Sequence, residues 1–183
     1  MNILKILKEK KAFLEGHFLL SSGLHSEGYI QLALVLQYPS IAEGIGKLLS
    51  KKFKNKNIKA VISPAIGGIV IGQEVAKFLR AKAIFAEREN GRMILRRGFD
   101  IIPKEKVLIV EDVVTTAKSI KEVKEIVERE KGVVVGYACI VDRRKNKKNL
   151  SLKSLFKIDI KIYKPSNCPL CRRKIPLVKP GSR

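Results

Sequence analysis

The feature that most constrains the fold is a series of short, uninterrupted apolar runs separated by segments of helical periodicity. Ala60-Val61-Ile62, Ala83-Ile84-Phe85-Ala86, Val107-Leu108-Ile109-Val110 and the run from Val133 to Val141 are of strand length and mostly β-branched. A strand with one wet face alternates polar and apolar residues, whereas one that is apolar throughout is covered on both sides. Gly67 to Arg80 reads as a helix between the first two runs. Ala117 to Glu130, apolar at 117, 120, 123, 126 and 127, reads as another and closes at Gly132. A further helix opens at Pro39, the favoured first position. The pattern predicts βαβ units in an α/β, doubly wound fold: a central mostly parallel sheet with helices on both faces. Around this core, the sequence suggests an N-terminal helix over Ile3 to Leu14 and one or two short strands about a turn at Ser22-Gly23. A peripheral strand is expected within Ile158 to Tyr163.

At 183 residues there is room for one core of ordinary size. No apolar run approaches the roughly 20 residues of a membrane span, and no apolar stretch with a cleavage site opens the chain. A cytoplasmic location without membrane attachment is therefore expected. The net charge of +21 attracts polyanions, whether nucleic acid or small phosphorylated substrates. From Asp142 onward there are 14 basic residues and 2 acidic ones, so much of the excess lies in a C-terminal extension. The dense run Arg143-Arg144-Lys145-Asn146-Lys147-Lys148 reads as a solvated loop.

In an open α/β sheet, ligands bind beyond the carboxyl ends of the strands. The segment VLIVEDVVTTAKS, residues 107–119, leads from a buried strand through two carboxylates and a hydroxyl-rich loop into a helix. The Thr115, Thr116 and Ser119 hydroxyls, with the free amides of the helix start, suit a phosphate. Glu111 and Asp112 would repel that phosphate but suit the vicinal hydroxyls of a sugar, or Mg²⁺ held through water. Phosphate at one end and a diol at the other describe a ribose 5-phosphate. An ordinary capped helix with acids near its dipole is the alternative for this pattern taken alone.

The thirteen residues together resemble the phosphoribosyl diphosphate (PRPP) signature of type I phosphoribosyltransferases, with Ala117 and Lys118 where that family usually has glycine first. Alanine is expected to keep the loop tight at negative φ. Four more blocks, GHFLLSSGLHSEGYIQ (16–31), SPAIGGIVIGQEVA (63–76), FAERENGRMILRRGF (85–99) and CPLCRRKIPLVKPGSR (168–183), resemble the orotate phosphoribosyltransferase family over nearly the full chain. The resemblance implies one domain over 1–183, with a hood (about 1–38, joined by an extension at about 150–183) and a PRPP-binding core (about 39–149). It implies transfer of phosphoribose from PRPP to orotate in pyrimidine biosynthesis. PRPP would be held by Glu111, Asp112, Val113, Val114, Thr115, Thr116, Ala117, Lys118 and Ser119, with Ala65 to Gly68, including Gly67 and Gly68, forming the loop under the pyrophosphate. Thr115 and Arg143 would contact orotate, Arg143 by a bidentate pair with its carboxylate.

Glu87 to Gly98 would be a mobile catalytic loop whose arginines, Arg88 and Arg92 foremost, meet the leaving pyrophosphate. Asp112 is the third residue expected in catalysis. No histidine lies in this loop, so no imidazole acid is assigned. Mg²⁺ would arrive through PRPP, without a direct protein ligand. A homodimer is expected, with no nucleic-acid partner. Ser21 stands where some relatives carry lysine, and His25 in the hood reads as a surface polar residue. Two other readings remain open: a phosphoribosyltransferase for another base, and an RNA-binding regulator that retains the fold. Low aromatic content argues against the second, since single-strand stacking needs aromatic faces.

Cys168-x-x-Cys171 is half of a tetrahedral zinc site. His17, His25, Cys139 or a symmetry mate would have to complete it, and a reduced, metal-free pair is the expectation.

Overall fold

The computed structural model describes residues 1–20, 22–145 and 150–180. Ser21 and Asn146 to Lys148 of the basic run therefore lie outside the described residues, as does the end of the C-terminal block.

Six strands form the central sheet: β3 (Ala60–Pro64), β4 (Lys82–Glu89), β5 (Arg92–Leu95), β6 (Lys106–Val114), β7 (Val133–Asp142) and β8 (Leu152–Lys157), in the order β5-β4-β3-β6-β7-β8. All neighbours run parallel except β4 and β5, which form an antiparallel hairpin at one edge. Helix α4 (Gly68–Leu79) connects β3 to β4, and α5 (Lys118–Arg129) connects β6 to β7. The two crossovers lead away from each other, so strand order reverses between β3 and β6. Ligands bind at such a switch point, outside the carboxyl ends of the strands.

The period of two along each strand divides the core into two layers. Val61, Leu108, Val110, Ala138 and Ile140 face α4 and α3 (Pro39–Ser50), with Ile45, Leu49, Ile71 and Val75 closing that layer. Ala60, Ile62, Val107, Ile109 and Cys139 face α5, which buries Ile120, Val123, Ile126 and Val127. Those four lie three and four apart, the stripe a helix needs to cover a sheet. Helices therefore cover both faces, as the apolar runs require.

A second, three-stranded antiparallel sheet is made by β1 (Phe13–Leu19), β2 (His25–Ile30) and β9 (Ile162–Tyr163) in the order β1-β2-β9. The N-terminal helix α1 (Ile3–Glu9) is shorter than its periodicity suggests, and a single turn, α2 (Ala33–Leu36), leads from this sheet to α3. Lys11 takes a left-handed φ of 52°, and Phe13 and Leu14 instead pair with Ile30 and Tyr29. The expected peripheral strand shrinks to β9. The edge strand β8 has no counterpart in the sequence reading, because LKSLFK mixes charged and apolar residues as a half-exposed edge strand does. Among the described residues, no helix is long and apolar enough to cross a membrane.

Candidate active site at the strand switch point

The site grows from the facing ends of β3 and β6. β6 runs to Val114, so Glu111 and Asp112 lie within the strand rather than beyond it. Their side chains lie against the loop after β3. A Cβ on Gly67 would fall 2.7 Å from Asp112 Oδ2, and one on Gly68 would fall 3.2 Å from Glu111 Oε1. Glycine is required at position 67 because only a residue without a side chain lets the loop approach the carboxylate this closely. The acid pair and the glycine loop, 43 positions apart for Gly68 and Glu111, thus form one surface. The peptide between Ala65 and Ile66 in this loop is cis.

Glu111 is buried, and this burial, reinforced by the Asp112 charge beside it, holds its carboxyl well above the usual carboxylate range. Asp112 is half-buried, and its Oδ1 accepts from its neighbour's amide, Val113 N, at 2.7 Å. Beyond the acids, Glu111 and Val113 to Ile120 line a pocket. Thr115 and Thr116 are exposed on it, and the Lys118 amide donates to Thr116 Oγ1 at 3.4 Å. Helix α5 begins at Lys118, so its free amides open onto the same pocket.

Ala117 corrects one expectation. Its φ is +61°, in the left-handed region, not negative. Glycine adopts that conformation freely; a residue with a Cβ pays about 1–2 kcal/mol. The chain therefore keeps the turn and accepts strain.

Arg143 stands at the end of β7, where its amide donates to Val114 O at 2.8 Å and brings it beside the pocket loop. Its Nε and Nη2 are buried with no hydrogen-bond partner among the described residues. Burial pulls its pKa down, offset in part by the nearby Tyr29 of β2, which places the hairpin sheet beside this end of the site. Arg144, expected in a solvated loop, is instead buried. Its Nε and Nη2 donate to Asp142 Oδ1 and Oδ2 at 2.9 and 3.0 Å, and Nη1 donates to Leu150 O at 3.0 Å.

The segment Glu87 to Gly98 is mostly the β4–β5 hairpin, turning at Asn90-Gly91, both with positive φ. Three of its arginines have carboxylate partners. Arg97 makes a bidentate pair with Glu87, Arg96 meets Glu89 at 2.7 Å, and Arg88 pairs with Glu122 of α5 and donates to Gly91 O at 2.8 Å. Arg92 is exposed. Glu122 also lies 4.0 Å from Lys118 Nζ, linking the hairpin to the pocket rim. Sequence reasoning missed Glu122, whose partner Arg88 is 34 residues away with no local signal.

Residues 111–119, Gly67, Gly68 and Arg143 are therefore gathered at one sheet edge. Arg88 turns to α5, and Arg92 does not enter the pocket lining. His25 is buried in β2 rather than at the surface.

Comparisons with known proteins agree with this arrangement. Residues 33–170 match the phosphoribosyl transferase domain. An orotate phosphoribosyltransferase of Caldicellulosiruptor bescii is 52% identical over 182 residues, covering 98% of this chain and 96% of the relative. One from Carboxydothermus hydrogenoformans is 50% identical, covering 100% and 98%. The crystal structure of orotate phosphoribosyltransferase from Aeropyrum pernix superposes with a TM-score of 0.70 at 26% identity, covering 86% of this chain and 94% of that one. With half its residues shared along almost its whole length, the chain belongs to the orotate phosphoribosyltransferase family.

Proposed function

We propose that the protein transfers the 5-phosphoribosyl group of PRPP to orotate, giving orotidine 5′-monophosphate and diphosphate, a step of UMP biosynthesis. One bond forms, between C1′ and the orotate ring nitrogen, which gives up its proton to solvent. One breaks, between C1′ and the diphosphate oxygen. The observation that carries this reading is the buried guanidinium edge of Arg143, which has no partner among the described residues. A buried donor pair without an acceptor costs free energy, and a planar carboxylate satisfies it in bidentate fashion. Orotate brings such a carboxylate; uracil and the purine bases do not.

In this reading Thr115, Thr116, Ser119 and the first amides of α5 hold the 5′-phosphate. Asp112 accepts from the ribose hydroxyls. Glu111, whose carboxyl burial holds well above the usual carboxylate range, shares the ribose hydroxyls with Asp112. Gly67 and Gly68 present backbone amides to the diphosphate, and Thr115 reaches both ligands. Mg²⁺ fits as a companion of the diphosphate: two adjacent carboxylates with room for water suit an ion that keeps much of its hydration shell. When bound, it would neutralise charge on the leaving group. Arg88 and Arg92 would add to that neutralisation once the hairpin moves to meet the ligand. The exposed pair of Arg88 with Glu122 is worth no more than about 1 kcal/mol, so a polyanion can displace it. We further propose a two-fold homodimer in which a hairpin of one subunit covers the partner's site. Mixing inactive Arg88/Arg92→Ala and Asp112→Asn chains should then restore activity, and no recovery after verified subunit exchange would confine the hairpin to its own subunit.

The test of the reaction is PRPP consumption with Mg²⁺ and one base at a time. Orotate should be converted with far higher kcat/KM than uracil, adenine or guanine. Comparable turnover of a base lacking a carboxylate would overturn the assignment.

A further inference from the structure

The C-terminal Cys-x-x-Cys pair does not stand alone. Cys168 and Cys171 lie at the start and within α6 (Pro169–Arg172), which carries them onto the β1–β2 hairpin against His17 and His25. Cys139, the other thiol of the chain, is buried under the central sheet, in the layer facing α5. The four ligand atoms, His17 Nε2, His25 Nδ1 and the two Sγ atoms, all lie within 4.8 Å of one another. His17, His25 and Cys168 are buried, while Cys171 is exposed.

The proton positions follow from one contact. His17 Nδ1 is 2.8 Å from Ile175 O, and a carbonyl only accepts, so Nδ1 carries the proton and Nε2 is left with a bare lone pair. Three groups converge on that one lone pair: His25 Nδ1 at 2.8 Å, Cys168 Sγ at 3.5 Å and Cys171 Sγ at 3.7 Å. Cys171 Sγ is also 3.3 Å from His25 Nδ1. One lone pair cannot accept three hydrogen bonds, but one cation at the centre accounts for every approach.

We propose that His17, His25, Cys168 and Cys171 bind a structural zinc ion. Tetrahedral coordination at ordinary Zn–N and Zn–S lengths sets S···N separations of about 3.5 Å and an N···N separation of about 3.3 Å. Three of the four sulfur–nitrogen distances, at 3.3 to 3.7 Å, already match, and the imidazoles need part by only about half an ångström. Two thiolates and two neutral imidazoles balance the charge of Zn²⁺, which suits a mostly buried position. A closed set of four protein ligands marks a structural rather than a catalytic zinc, and mixed sulfur and nitrogen donors select zinc over hard cations. The Ile175 carbonyl on His17 is the outer partner that metal-bound imidazoles usually have.

The zinc would staple the chain's end to the hairpin sheet. Val178 N donates to His17 O and Leu19 N to Val178 O, both at 2.8 Å, so the segment after the cysteines already lies along β1. β2 of the same sheet carries Tyr29 towards Arg143. The site is independent of the substrate assignment.

The test is metal content of the full chain purified without chelator. Close to one zinc per chain is expected, falling at least tenfold in Cys171→Ser and in His25→Asn. Should those variants not fold, wild-type protein stripped and reloaded with Co²⁺ alone should show the visible absorption of a tetrahedral cobalt with a thiolate charge-transfer band. Zinc well below one per chain after loading with Zn²⁺, octahedral cobalt spectra, a Cys168–Cys171 disulfide in freshly purified protein, or stoichiometric iron in place of zinc would each overturn the proposal.

Discussion

Arg143 and Arg144 are chain neighbours with identical side chains in opposite circumstances. Arg144 folds back on Asp142 and Leu150 and spends its donors inside the protein. Arg143, one residue earlier at the carboxyl edge of the sheet, keeps two buried nitrogens without an acceptor among the described residues. The contrast extends to the β4–β5 hairpin, where Arg88, Arg96 and Arg97 rest on glutamates in half-exposed pairs. Among the described residues, four arginines rest on carboxylates of the chain. Arg143 differs in that its partnerless nitrogens are buried beside the pocket, and in the reading proposed above their carboxylate comes with the substrate.

The comparison is broken most forcefully at Arg144. Replacing it by alanine removes the guanidinium that donates twice to the buried Asp142 carboxylate, and the loss of one member of a buried pair costs about 3–5 kcal/mol. Arg144→Ala should therefore lower the thermal midpoint by roughly 10 °C in a chain of this length. A midpoint within a degree or two of wild type would show that the pair is not a structural clamp.

A smaller effect is expected at Glu111, where the sign depends on pH. Burial favours the neutral carboxyl in the folded state, while the unfolded chain releases the proton in the ordinary carboxylate range. The stability this group contributes is complete below that range and is lost as pH rises through the raised folded value. Glu111→Gln should thus raise the thermal midpoint of the ligand-free protein at pH 8 and leave it almost unchanged near pH 4.5. Equal shifts at both pH values would remove the buried-acid account.

The smallest effect concerns Ala117. Ala117→Gly relieves a left-handed φ but gives the unfolded chain more freedom, and the balance is a gain of up to about 1 kcal/mol. That corresponds to about 2–4 °C at this size. A lower midpoint would mean that the alanine is unstrained.

The inner strands β3, β4, β6 and β7 of the central sheet were legible because their apolar runs are dictated by burial on both faces, as Val107 to Val110 show. The pocket loop was legible because strand, acids, hydroxyls and helix follow one another in the chain. What escaped depends on the three-dimensional surroundings of a residue and not on its local pattern. Arg144 looks like any member of a basic run until Asp142 is seen beneath it. Phe13 and Leu14 fit a helical stripe until Ile30 and Tyr29 take them as strand partners. The sign of φ at Ala117 is set by the strand-to-helix turn, not by alanine. The His/Cys cluster had a compositional signal, two histidines and a Cys-x-x-Cys in one chain, but its ligands span 154 positions and only the hairpin sheet brings them together.

The central claim is that Arg143 reserves its guanidinium for the substrate carboxylate, and steady-state kinetics of Arg143→Ala test it most directly. Loss of a buried charge pair costs about 2–5 kcal/mol, so KM for orotate should rise about 30-fold or more. KM for PRPP should change little, and the ligand-free protein should be no less stable, because those donors have no acceptor among the described residues. Equal losses for orotate and PRPP, or a marked fall in thermal stability, would make Arg143 a structural residue like its neighbour and contradict the account.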